Sequence, residues 1–272
     1  MIERDRYVTD PSPELLLVRR EPPLAWLTVN RPAAHNALNS DVWQRLATAT
    51  AALAADREVR VIIVRGAGER AFISGADISE FRALRADAAA AAGYDRLSGQ
   101  AWRAVGEAPQ PVIAMINGLC FGGGVAVALA ADLRFAADHA RFAVPAIRLG
   151  LAYPMESIER LVHVVGPMHA ADILLSGRVL DASEALRMGL INRVEPAASL
   201  EAATTAYALA MAEGAPLTVA AHKRAIRESL RPPGERDVAA LREAMRRCFD
   251  SADYQEGIAA FLEKRSPRFA GR

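Results

Sequence analysis

Ala71-Phe72-Ile73-Ser74-Gly75-Ala76-Asp77-Ile78 and Asn117-Gly118-Leu119-Cys120-Phe121-Gly122-Gly123-Gly124 carry the reading of this chain. Glycine takes backbone conformations closed to other residues and lets a ligand come close to the main chain. The triple glycine opens onto Val125-Ala126-Val127-Ala128-Leu129-Ala130-Ala131, which reads as a helix. The first N–H groups of a helix have no partner inside it and are suited to an anion or a developing oxyanion. Taken alone, the triple glycine fits tight helix–strand packing as well, and Ala76-Asp77-Ile78 fits a helix start capped by Asp77. Gly66-Ala67-Gly68-Glu69-Arg70-Ala71 formally matches a dinucleotide-binding turn. Such a turn opens directly into a helix, whereas Phe72-Ile73-Ser74-Gly75 brings a β-branched residue and another glycine first. No Gly-Lys-Ser/Thr follows the triple glycine, which excludes a nucleoside-triphosphate P-loop.

Working outward, residues 15–18, 24–29 and 59–64 read as strands, with a helix after Asn39-Ser40-Asp41. Residues 112–116, 133–136 and 141–144 continue the series, and the chain turns mainly helical from about Ile158. Residues 191–194 are the last clear strand, followed by amphipathic runs over 199–212, 218–230 and 237–249. Strands alternating with helices predict an α/β fold. The alanine-rich residues 83–92 predict a surface helix, with a wall of the site as the alternative.

A chain of 272 residues, 52% hydrophobic, buries a substantial core and is not disordered. Thirty-three Lys+Arg against 32 Asp+Glu leave a net charge of +1, so no global field favours nucleic acid or an anionic membrane. Cys120 and Cys248, far apart and outside any metal-ligand spacing, fit a reduced cytoplasmic protein without a metal. Residues 1–10 lack the apolar stretch of a secretory leader. Residues 108–131 carry no charge and are long enough to span a bilayer, but Pro109, Pro111 and the glycines break them into strand, turn and helix start.

The two opening segments together resemble the enoyl-CoA hydratase/isomerase (crotonase) family, in which one N–H from each polarises a thioester carbonyl. Arg31-Pro32-Ala33-Ala34-His35-Asn36-Ala37-Leu38 is similar to the family's early CoA-binding segment. Asp181-Ala182-Ser183-Glu184-Ala185-Leu186-Arg187-Met188-Gly189-Leu190-Ile191-Asn192 also fits, and Gly257-Ile258-Ala259-Ala260-Phe261-Leu262-Glu263-Lys264-Arg265-Ser266-Pro267-Arg268-Phe269 resembles the C-terminal signature. The resemblance implies an α/β, crotonase-like core of repeated β-β-α turns over residues 1–197 and a helical, self-associating region over 198–272. It implies the N–H groups of Ala76 and Gly123 as carbonyl donors, with Ser74, Asp77, Ile78 and His35 along CoA. Arg31, Lys264 and Arg265 are further candidates for its phosphates. CoA then arrives as part of the substrate rather than as a resident cofactor, and the implied assembly is a homotrimer or hexamer.

The family's hydratases carry one glutamate two residues after the triple glycine and another after the proline of a downstream Pro-Glu-Ile. Here those positions are Ala126 and Ala146. Nearby, Tyr153 and Glu156 bring a phenol and a carboxylate that are candidates for acid/base work, against the plainer readings of a packed aromatic and a helix-start carboxylate. The histidines, His139 among them, read as structural or surface residues. The chain is expected to be an acyl-CoA lyase, hydratase-like by default. An isomerase, a hydrolase, or a CoA-ester binder that has lost catalysis are the alternatives.

Overall fold

Short apolar runs rich in Val and Ile form the strands of a computed structural model that describes residues 15–84 and 86–272. The expectation for residues 1–10 falls outside the described residues. In chain order the strands are β1 (Leu16–Glu21), β2 (Leu24–Val29), β3 (Val61–Gly66), β4 (Ala71–Ile73), β5 (Val112–Ile116), β6 (Leu119–Phe121), β7 (Leu133–Ala137), β8 (Arg141–Ala143), β9 (Leu180–Asp181) and β10 (Arg193–Glu195). The helices are α1 (Ser40–Ala55), α2 (Phe81–Leu84), α3 (Ala88–Glu107), α4 (Gly123–Ala130), α5 (Met155–Ser176), α6 (Ala182–Arg187), α7 (Leu200–Ala212), α8 (Pro216–Ser229), α9 (Val238–Phe249) and α10 (Ala252–Leu262).

Two sheets share the strands. The larger runs β1-β2-β3-β5-β7-β10 and the smaller β4-β6-β8-β9. Successive pairs β3/β4, β5/β6 and β7/β8 each give one strand to either sheet, and all neighbours are parallel except β1 with β2 and β8 with β9. This is the repeated β-β-α winding. Along β3, Ile62 and Val64 enter the main core while Val61 and Ile63 enter a second one, because successive side chains leave a strand on opposite faces. Both faces are covered, so β3 reads as an unbroken apolar run rather than an alternating one. The second face lies under α7 through Leu200, Ala208 and Ala212, so the first helix of the C-terminal region completes the core.

Helix α4 is buried from Gly124 to Ala130 and has no polar face. The uncharged stretch is thus the middle of the core, and no helix among the described residues is long and apolar enough to cross a membrane. The glycines at 66 and 68 lead from β3 to β4 with no intervening helix, which removes the dinucleotide turn. Strands β4, β6 and β9 are not among those expected from sequence, since runs of three, three and two residues give too short a pattern to read. The helical third begins at Met155 rather than Ile158, where Pro154 closes the preceding turn. The helix expected over 83–92 is not continuous: residues 83–84 end α2, and residues 88–92 open the longer α3, capped by the Asp87 carboxylate on the Ala90 N–H at 2.8 Å and continuing to Glu107.

Candidate active site

Strands β4 and β6 are parallel neighbours, with Ala71 opposite Leu119 and Ile73 beside Cys120. Parallel strands deliver their C-terminal ends on the same side of a sheet, so Ser74 to Asp77 and Gly122 to Gly123 emerge next to each other despite their separation in sequence. Helix α4 then packs directly over β4. A Cβ on Gly124 would lie 2.2 Å from the Ile73 carbonyl oxygen, so only glycine permits the approach. Gly122 holds φ +46°, a left-handed conformation that turns the chain into the helix.

The first segment is held from below by the loop from Arg31 to Leu38. The Leu38 N–H donates to the Gly75 carbonyl at 2.8 Å, the Asp77 N–H to the Leu38 carbonyl at 2.9 Å, and the Ser74 N–H to the His35 carbonyl at 3.1 Å. Fully buried Asn36 accepts the Arg31 N–H at 3.0 Å and donates to the carbonyls of Ala67 and Ala71 at 3.0 and 2.7 Å. The Arg31 guanidinium donates to the Ala37 carbonyl at 2.6 Å and to the Asp77 carboxylate at 2.8 Å. Asp77 also receives the Ser79 hydroxyl at 2.6 Å. That hydroxyl, followed by Arg31, holds the Asp77 carboxyl below the usual carboxylate range.

Two N–H groups in this frame are left over. Among the described residues, the Ala76 and Gly123 N–H groups donate to no protein group. They flank a small gap: a Cβ on Gly123 would stand 3.4 Å from the Ala76 nitrogen. The gap opens into a chamber of about 130 Å³ with apolar walls that include Trp43, Phe81, Trp102, Leu149 and Leu151. Trp43 of α1 donates its indole N–H to the Tyr94 hydroxyl of α3 at 2.8 Å and meets Trp102 edge-on, with centroids 6.1 Å apart. The buried indole nitrogen of Trp102 has no partner among the described residues. At the far end of α4, buried Arg134 donates to the carbonyls of Ala131 at 2.9 Å, Ala128 at 3.3 Å and Leu190 at 2.8 Å. Burial draws its pKa down to about 10, which leaves a cation at the negative end of the helix at neutral pH.

Of the residues singled out from sequence, Ser74, Ala76, Ile78, Gly123 and Tyr153 line the chamber, as does Ala146. Asp77 does not, being engaged by Ser79 and Arg31. His35 is exposed and meets the site only through its carbonyl. Ala126 is buried in α4, and Lys264 and Arg265 are exposed and outside the chamber, Arg265 paired with Glu256 and Glu263. Glu156, the candidate carboxylate, is exposed in the first turn of α5 and outside the lining, the placement of a helix-start carboxylate. Tyr153 donates its hydroxyl to the Gly122 carbonyl at 2.9 Å, and burial pushes that hydroxyl above the ordinary tyrosine range.

Sequence reasoning missed the α3 wall. Tyr94, Ser98 and Trp102 recur every fourth residue, which places them on one helix face, and this spacing was the available signal.

The family described as enoyl-CoA hydratase/isomerase matches residues 19–272. A crotonyl-CoA hydratase of Syntrophomonas wolfei is 34% identical over 259 residues, covering 95% of this chain and 99% of that protein. A 2,3-dehydroadipyl-CoA hydratase of Escherichia coli is 34% identical over 94% of this chain and 99% of its own. Among solved structures, an enoyl-CoA hydratase/carnithine racemase of Magnetospirillum magneticum superposes with a TM-score of 0.91 at 40% identity, covering 96% of this chain and 97% of that one. With its sheets wound as β-β-α turns and its sequence matched nearly end to end, the chain belongs to the enoyl-CoA hydratase/isomerase family.

Proposed function

We propose that this acyl-CoA enzyme holds the thioester carbonyl oxygen between the N–H groups of Ala76 and Gly123. The observation that carries the reading is the pair of unpartnered donors facing one gap. Negative charge grows on that oxygen when a nucleophile adds at the acyl β-carbon or a proton leaves the α-carbon. Two fixed donors, that of Gly123 at the start of α4, stabilise that charge without reorganising, and the apolar walls strengthen the interaction by excluding water. The acyl group occupies the chamber bounded by Trp43, Tyr94 and Trp102. His35, Ser74, Asp77 and Ile78 stand along the path of CoA, where Asp77 acts through its bonds to Arg31 and Ser79 rather than on the ligand.

The default reaction is reversible hydration of an enoyl-CoA. A second reading, a CoA-ester binder with little turnover, is favoured by Ala126 and Ala146 and by the make-up of the chamber. Among its described lining residues the ionisable side chains are Tyr94 and Tyr153. The test is Gly123→Ala. The added methyl would sit 3.4 Å from the Ala76 nitrogen and 3.3 Å from the Trp43 ring, filling the gap while leaving a helix-compatible backbone. Conversion of whichever acyl-CoA the protein processes should fall at least about 100-fold, the scale of losing an oxyanion donor. Unimpaired conversion would remove these two groups from the mechanism.

A further inference from the structure

A trans peptide is planar, so its carbonyl and its N–H point in opposite directions. The carbonyl of Gly122 and the N–H of Gly123 belong to one peptide unit. That carbonyl accepts two hydrogen bonds, from the Ala126 N–H at 3.1 Å and from the Tyr153 hydroxyl at 2.9 Å. The first is the ordinary opening bond of α4. The second comes from the segment ahead of α5 and occupies the carbonyl's remaining lone pair.

We infer that Tyr153 is a positioning residue for the carbonyl site, acting through the Gly122–Gly123 peptide rather than as an acid or base on the substrate. The inference rests on the reading of Ala76 and Gly123 as the carbonyl's donors. Two physical effects follow from the bond. It fixes the plane of a peptide that two glycines would otherwise leave free to rotate, and so fixes the direction of the Gly123 N–H. It also draws electron density toward the Gly122 oxygen. The amide nitrogen becomes more positive and its N–H a stronger donor, the cooperative strengthening seen along hydrogen-bond chains. The chain thus runs from the Tyr153 O–H through the peptide and on to the substrate oxygen. Tyr153 spends its proton on the main chain, so it is poorly placed to give that proton to the acyl group.

Butyryl-CoA labelled with ¹³C at the thioester carbonyl is a suitable probe, because a saturated chain cannot be hydrated. Its carbonyl resonance reports polarisation directly. In the unaltered protein the signal should move downfield on binding. In Tyr153→Phe that displacement should shrink, with the dissociation constant changed by less than about threefold and turnover of the processed acyl-CoA reduced about three- to tenfold, the size of one net hydrogen bond. 3-Fluorotyrosine placed at position 153 keeps the shape, has a more acidic phenol and should move the signal further downfield. This second variant preserves the test should the phenylalanine form fold poorly. Opposite displacements in the two variants are not what simple packing produces. Equal resonances in all three proteins would overturn the role of Tyr153. Absence of any displacement in the unaltered protein would instead overturn the underlying carbonyl assignment, so the two failures are distinguishable.

Discussion

The indole N–H of Trp43 donates to the hydroxyl of Tyr94 at 2.8 Å, joining α1 to α3 at the chamber wall. Trp43 is 1% exposed and Tyr94 5%, so water cannot replace either partner. Tyr94→Phe leaves the indole donor buried and unsatisfied, which costs about 1–3 kcal/mol. Urea unfolding should show a loss of that size. A midpoint equal to that of the unaltered protein would mean that the bond contributes nothing net.

Crotonyl-CoA should be hydrated poorly. A positioned acid/base is worth about 10²–10⁴-fold, and the two positions where the resemblance to the family's hydratases leads one to expect glutamate hold Ala126 and Ala146. Ala146 faces the chamber, so the space for a carboxylate exists there without the carboxylate. The decrease in enoyl thioester absorbance measures the rate directly. Turnover at the level of an efficient hydratase would show that another group replaces both side chains.

Glu156→Gln should alter acyl-CoA conversion by less than about twofold, within the usual reach of an exposed substitution. The side chain is in solvent at the first turn of α5, where a carboxylate favours the helix dipole and little else. A tenfold fall in kcat with unchanged CoA-ester affinity would give Glu156 the proton-transfer role that its position in the sequence suggests.

The protein should associate as a trimer or a multiple of one. Phe261 is 84% exposed and Leu262 73%, and with Met245, Phe249 and Ile258 they border an apolar cavity of about 980 Å³ between α8, α9 and α10. Contiguous apolar surface of this kind marks an interface. Light scattering that returned the mass of one chain, 29.2 kDa, at micromolar concentration would refute the assembly.

Local chemistry made much of the fold readable. The strand over residues 24–29 and that over 112–116 coincide with β2 and β5, because runs of branched and apolar residues bounded by proline or polar residues have few other uses. The glycines at 122, 123 and 124 announced a helix start, whose first N–H groups have no partner inside the helix. These features depend on a few neighbouring residues, and the sequence alone determined them.

What tertiary structure decided was which distant groups meet. Tyr94 and Trp102 become a chamber wall only because α3 packs along α1. Tyr153 finds the Gly122 carbonyl across 31 positions of chain, and Glu156, three residues further on, faces solvent instead. No local pattern distinguishes those two side chains. Three residues of chain separate a half-buried tyrosine bound to the main chain from an exposed carboxylate, and that difference follows from the packing of the segment ahead of α5 rather than from the identity of either residue.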